Sequence, residues 1–214
     1  MSVVAIIPAY NEGKTIGDVL KVLMPMQIID EVIVVNDGSS DNTAAVARNC
    51  KARVIDLPQN SGKSIAVLTG VKNTRADIIL MLDADLIGLT ELHVRKLLGP
   101  VCSGNADMTI GIFKNGRGVT DLAQKIAPFL SGQRALKRDV FDKLEKYPVK
   151  DYGLEIALTL MAEKENIKVR EVELENLTHV MKEEKRGLIA GFLSRVKMYW
   201  DIIFCVIKFR LEVF

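Results

Sequence analysis

Four short apolar runs, each released into a polar turn and followed by a stretch of helical period, constrain this chain more than any other feature. Residues 3–8, 32–35, 53–57 and 78–82 read as strands. Between the first two, residues 15–23 place Ile16, Val19, Leu20 and Leu23 on one side of a helix. Asp41 opens a second helix through about Asn49, whose middle, Ala44-Ala45-Val46-Ala47, is small enough to pack closely on a sheet. A third helix is expected over 64–72. Strand and helix in strict alternation predict an α/β fold with a doubly wound, mostly parallel sheet and right-handed crossovers. Beyond residue 82 the pattern loosens. It predicts a helix over 92–98, a strand over 107–112, a Gly-rich turn at 114–118, an extended stretch over 128–135, helices over 139–144 and 152–164, and a strand over 168–174.

A chain of 214 residues with 49% hydrophobic content builds one domain with a real core. Its 29 basic residues are nearly matched by 27 acids, for a net charge of +2, which gives no case for a nucleic-acid partner. Three cysteines, Cys50, Cys102 and Cys205, are odd in number and share no metal-ligand spacing. Free thiols in a reducing, cytoplasmic compartment are the expectation. The opening residues lack a basic segment and break at Pro8, so they read as a first strand and not as a signal peptide. No stretch has the length of a clean transmembrane helix.

In an open parallel sheet, ligands sit where the strand carboxyl ends emerge. Four consecutive strands deliver polar turns to that edge: Pro8-Ala9-Tyr10-Asn11-Glu12-Gly13, Asn36-Asp37-Gly38-Ser39-Ser40-Asp41-Asn42-Thr43, Pro58-Gln59-Asn60-Ser61-Gly62-Lys63 and Asp83-Ala84-Asp85. Asp83 and Asp85, two apart on an extended chain, point the same way. Two carboxylates that close repel unless a cation lies between them, and hard oxygen ligands suit Mg2+ or Mn2+ held against a diphosphate. Gly62-Lys63-Ser64 is not a phosphate loop, because Leu57 stands where that motif needs its first glycine. No G-x-G-x-x-G follows the first strand either.

Taken together and in order, these four segments resemble family 2 glycosyltransferases of the GT-A fold over roughly residues 3 to 175. The resemblance implies a metal-dependent transfer of a sugar from a UDP- or GDP-linked nucleotide-diphosphate donor to an acceptor hydroxyl or phosphate. It assigns Pro8, Tyr10, Glu12, Asp37, Gly62, Lys63 and Asp83 to the donor, with Glu12 and Asp37 at the base and ribose. Helix capping is the competing reading of these acids, stronger for Asp41 than for Asp37. Asp83 and Asp85 become metal ligands, Asp85 the more direct, and His179 a third. Ser131-Gly132-Gln133-Arg134 resembles the family's acceptor strand, with Ser131, Gly132 and Arg134 near the acceptor; a surface position is the alternative for Arg134. Asp151-Tyr152-Gly153-Leu154-Glu155 sits where the family carries its acidic acceptor motif, so Glu155, with Asp151 a turn earlier, is the catalytic candidate. In an inverting enzyme Glu155 is the base. The Tyr-Gly-x-Glu-Ile pattern also resembles retaining enzymes of the glucosylglycerate type, which need none. His93 reads as a surface residue. A noncatalytic nucleotide-sugar binder is the rival reading. A nucleotidyltransferase is a weaker one, since it needs a basic, Gly-rich loop where this chain has Pro8-Ala9-Tyr10-Asn11-Glu12.

The division is therefore a glycosyltransferase domain over 1–180 and a helical tail over 181–214. That tail has a wide apolar face, including Phe192, Leu193, Val196, Trp200, Ile203 and Phe204, and only a narrow polar stripe. Packing on its own domain, forming a homodimer, and peripheral contact with the inner face of a membrane all remain open. A polyprenyl phosphate acceptor suits the tail. A small anionic acceptor suits the motif at Glu155.

Overall fold

The computed structural model describes residues 1–114, 131–147, 149 and 153–179. The expected alternation is present. The strands β1 (Val3–Ala9), β2 (Glu31–Asn36), β3 (Arg53–Asp56) and β4 (Ile78–Met81) are separated by the helices α1 (Ile16–Leu23), α2 (Thr43–Asn49) and α3 (Lys63–Lys72). A short strand β5 (Leu86–Ile87) leads into α4 (Glu91–Cys102), followed by β6 (Met108–Lys114), β7 (Arg134–Lys137), α5 (Arg138–Lys143), α6 (Leu154–Lys164), β8 (Val169–Glu175) and β9 (Thr178–His179). The main sheet runs β3-β2-β1-β4-β7-β6-β8. All its neighbours pair in parallel except around β7, which is antiparallel to both β4 and β6.

Period-two alternation sends the strand residues into two cores. Val3, Ala5 and Ile7 meet Ile16, Val19, Leu20 and Leu23 of α1 and Val94, Leu97 and Leu98 of α4 on one face. Val4 and Ile6 meet Ala66, Val67 and Val71 of α3 and Leu154, Ala157, Leu158 and Met161 of α6 on the other. Each wholly buried leucine or isoleucine contributes roughly 1.5–3 kcal/mol, which is why continuous apolar strands demand cover on both faces.

Two departures from the sequence reading shape the functional edge. The extended stretch expected over 128–135 is observed from Arg134 onward, and its strand runs against its neighbours. A reversed strand presents its amino end at the edge where parallel strands present their carboxyl ends. Ser131, Gly132 and Gln133, just before β7, are thereby delivered beside Asp83. The second departure is His93, which is buried and not on the surface. Its Nδ1 accepts from the Thr90 N–H at 3.2 Å while Thr90 Oγ1 accepts from the His93 N–H, a reciprocal cap on α4. Its Nε2 lies 2.9 Å from the Glu175 carbonyl, which pins α4 to the chain leading to His179. Burial lowers the His93 pKa from its ordinary value, so the neutral ring is the form held. Cys50 and Cys102 are free thiols. Among the described residues no helix is long and apolar enough to cross a membrane. Residues 181–214 and their three expected packings lie outside the described residues.

Candidate active site

The first three loops are stitched to one another by short polar side chains. Asn11 takes a left-handed backbone (φ 56°), which asparagine tolerates better than most residues. Its Oδ1 accepts the Ser40 N–H at 2.8 Å, and its own N–H donates to Ser39 Oγ at 3.0 Å. The N–H groups of Glu12 and Gly13 donate to Thr43 Oγ1 at 2.8 Å and Asp41 Oδ2 at 3.0 Å. Asp41 Oδ1 also accepts the Thr43 N–H at 2.9 Å, so the expected cap of α2 is in place. Burial opposes ionisation of Asp41, yet the bonds from Thr43 and Gly13 prevail and lower its pKa. Asp37 is buried, and its two oxygens accept the Ser61 and Gly62 N–H groups at 2.7 and 2.9 Å. A side chain at Gly38 (φ 69°) would lie 2.5 Å from the Gln59 carbonyl carbon, so only glycine permits this approach of the second and third loops. Pro8 and the exposed Tyr10 border the same edge. Thr15 Oγ1 donates to Glu12 Oε2 at 3.1 Å.

The fourth loop is different in kind. Lys63, the first residue of α3, reaches between two carboxylates, 2.5 Å from Asp83 Oδ1 and 2.7 Å from Glu155 Oε1. Burial works against the lysine's charge, but the two acids outweigh it and raise its pKa. Burial likewise disfavours the Asp83 carboxylate. Lys63 and His179, with hydrogen bonds from Lys63 and Gln133, overcome that and hold it at about 2. Gln133 Nε2 donates to Asp83 Oδ2 at 2.8 Å. Gly132 lies against this pair: a Cβ there would stand 2.4 Å from Lys63 Nζ and 2.8 Å from Asp83 Oδ2. Leu154, preceding Glu155, donates its N–H to Ser64 Oγ at 3.1 Å, which seats the start of α6 on the start of α3.

The small ribbon of β5 and β9 brings His179 opposite Leu86. His179 Nδ1 is 3.2 Å from Asp85 Oδ1 and its Nε2 is 4.0 Å from Asp83 Oδ2. Phe113 packs against the ring at a centroid distance of 4.8 Å. Asp83, Asp85 and His179 thus offer ligand atoms within 4.8 Å of one another. Two carboxylates and an imidazole, partly open to solvent, form a donor set that fits Mn2+ or Mg2+.

Of the residues singled out in the sequence, Lys63, Asp83, Asp85, Gly132, Glu155 and His179 are brought together, and Glu12, Asp37 and Gly62 lie on the adjoining loops. Arg134 is neither at the surface nor open to a ligand. It is fully buried and donates to the Ser131 carbonyl at 2.9 Å and to Thr159 Oγ1 at 3.1 Å. Ser131 is buried too, its Oγ donating to the Gly111 carbonyl at 2.5 Å. Asp151 lies outside the described residues. The sequence reading missed Gln133 as the partner of Asp83. Its only signal was its place inside the Ser131-Gly132-Gln133-Arg134 segment.

A mostly parallel sheet flanked by helices, with polar loops and two acids at its carboxyl edge, defines a GT-A nucleotide-diphospho-sugar transferase fold. The family model described as Glycosyl transferase family 2 matches residues 4–153, and the chain belongs to that family. It is 30% identical over 192 residues to the glucosyl-3-phosphoglycerate synthase of Mycobacterium tuberculosis, a match covering 72% of this chain and 59% of the synthase. The chain therefore spans less than two thirds of that relative's length. It is also 41% identical over 98 residues to a 4,4'-diaponeurosporenoate glycosyltransferase of Staphylococcus aureus, covering 44% of this chain and 26% of the relative. The crystal structure of the M. tuberculosis synthase in complex with Mn2+ and UDP-glucose matches with a TM-score of 0.71 at 27% identity, over 91% of this chain and 78% of that one.

Proposed function

We propose that this chain is a metal-dependent glycosyltransferase that moves a glucosyl group from UDP-glucose to a small anionic acceptor of the phosphoglycerate type. The observation that carries this reading is the convergence of Asp83, Asp85 and His179 on the edge that also holds the Glu12, Asp37 and Lys63 loops. A structure of the similar synthase with Mn2+, UDP-glucose and phosphoglyceric acid together matches at 25% identity and a TM-score of 0.67. Asp83, Asp85 and His179 would hold the divalent cation, which when bound neutralises charge on the leaving diphosphate. The exposed Tyr10 and the Glu12 and Asp37 loops would receive the nucleoside. Lys63, at a helix start, supplies a cation beside the diphosphate.

Glu155 Oε1 is occupied by Lys63 at 2.7 Å. This favours the retaining alternative: a positioned, ion-paired carboxylate in place of a base facing the acceptor. On that course the acceptor oxygen bonds to the anomeric carbon on the face from which the diphosphate departs. Its proton passes to the departing phosphate oxygen.

The purified chain with UDP-glucose, Mn2+ and 3-phosphoglycerate is expected to release UDP and form a glucosylated phosphoglycerate. A chelator should stop both. Release of UDP without that product would overturn the acceptor, and a GDP-sugar as the better donor would overturn the base. Binding of UDP-glucose with no release under any acceptor would favour the noncatalytic binder.

A further inference from the structure

Arg134 opens β7, an interior strand third from one edge of the seven-stranded sheet, opposite Met81 on one side and Ile110 on the other. Such a position ordinarily takes an apolar residue, and the next residues of the strand, Ala135 and Leu136, are apolar and fully buried. A buried guanidinium replaced by an apolar side chain of similar volume is often neutral or stabilising, so a contribution to folding alone does not account for an arginine here. Its bonds point elsewhere. Nε donates to the carbonyl of Ser131 at 2.9 Å, and Nη2 donates to Thr159 Oγ1 at 3.1 Å. Nη1 rests on Met108 Sδ at 3.8 Å. Ser131 begins the turn whose Gln133 holds Asp83 at 2.8 Å. Thr159 Oγ1 in turn donates to the Glu155 carbonyl at 2.9 Å, one helical turn back along α6. One rigid planar fork therefore touches both the turn behind Asp83 and the helix turn that carries Glu155.

We propose that Arg134 is a positioning residue that fixes the separation of Asp83 and Glu155 across Lys63. The inference rests on the transferase reading for its consequence but not for its geometry. Two carboxylates, Asp83 and Glu155, converge on the ammonium of Lys63, and Asp85 stands beside Asp83 at the His179 site. Without a fixed frame, the pair astride Lys63 would spread or close with the state of the ligand. The guanidinium supplies that frame from beneath and adds a second positive charge under Glu155. Burial lowers its pKa to about 10, Glu155 acting against the fall, so Arg134 stays charged at neutral pH.

The bonds described for Arg134 go to Ser131, Met108 and Thr159, away from the loops that would hold the nucleoside, so its loss should reduce turnover more than it weakens donor binding. A misplacement of about 1 Å in a catalytic frame costs on the order of 100-fold. Arg134→Met should lower kcat by at least tenfold while leaving KM for UDP-glucose within about threefold, on the same reasoning. Arg134→Lys, which returns the charge but not the fork, should recover part of kcat. Thr159→Val is close in shape and removes the hydroxyl that joins Arg134 to the Glu155 turn of α6; it should lower kcat in the same direction with a smaller change. If Arg134→Met fails to fold, Thr159→Val decides. Crystal structures of the variants should show Glu155 withdrawn from hydrogen-bond distance of Lys63. An unmoved Lys63 pair with wild-type kcat in Thr159→Val and any folded Arg134 variant would overturn the assignment. A wild-type chain without turnover would count against the transferase reading alone, because the Lys63 distances are read without it.

Discussion

The two halves of the carboxyl edge solve the problem of crowded polar groups in opposite ways. In the half built by the loops after β1, β2 and β3, neutral donors and carboxylates satisfy one another within the backbone: Asn11 with Ser39 and Ser40, Asp37 with Ser61 and Gly62, Asp41 with Gly13 and Thr43. In the half built by β4, β7, α6 and β9, charged side chains meet each other: Lys63 between Asp83 and Glu155, and His179 beside Asp85. The first arrangement is complete without a ligand. The second gathers more negative charge than its lysine balances, and it is where a divalent cation fits. A rigid cradle next to an electrostatically unfinished site is what transfer of a phosphate-linked group requires.

This contrast is open to direct attack. Substitutions in the charged half should remove turnover with little change in Tm, and substitutions in the stitched half should act first on Tm. The largest effect is expected from Asp85→Ala, with turnover down on the order of 1000-fold, comparable to removing a principal electrostatic stabiliser. Removal of metal by a chelator should match it, and Mn2+ should restore the wild type but not the variant. Gly132→Ala comes next. Its Cβ would stand 2.4 Å from Lys63 Nζ, so the Lys63–Asp83 pair must shift, and kcat should fall about tenfold or more. A variant with wild-type kcat would mean that the pair is freer than its contacts imply. Asp37→Asn tests the other half: one oxygen must become an NH2 group facing an N–H donor, which should lower stability by about 1–3 kcal/mol in chemical denaturation. If it leaves stability intact and abolishes donor binding, Asp37 belongs with the charged half.

The smallest expected effect is a pH dependence. The folded pKa of His93 lies below its unfolded value, so the unfolded chain takes up the proton first as pH falls. Stability from this residue is full above about pH 6.5. It declines as pH drops from there toward the folded pKa, where the cap on Thr90 and the neutral ring are lost. Tm measured from pH 7.5 to 5 should fall less in His93→Gln than in the wild type. Asp83 acts in a separate window: its stabilising contribution is present above the ordinary carboxylate range and is lost only as pH approaches about 2.

The fold was legible because its main signal is local. Continuous apolar strands such as Ile78–Met81 and the periodic face of Ile16, Val19, Leu20 and Leu23 declare themselves within a few residues. Asp83 and Asp85 were legible for the same reason, as neighbours at a strand end. The Lys63–Glu155 pair was not, because nothing local relates a lysine opening α3 to an acid opening α6. Arg134 and His93 were misjudged on the ordinary preference of charged and polar residues for the surface. Each is buried because tertiary neighbours supply its partners: Thr159 and Ser131 for one, Glu175 for the other. The reversal of β7 had no sequence signal either. Strand direction depends on where the chain returns, and that is a property of the whole sheet.

The central claim is that Asp83, Asp85 and His179 form one cation site shared with the donor loops. Calorimetric titration of UDP into the chain with Mn2+ present, and again with chelator, tests it in the wild type and in Asp85→Ala. The account predicts tight binding to the wild type only when Mn2+ is present, and none of that metal-dependent gain in the variant. Equal affinity in all four titrations would contradict it.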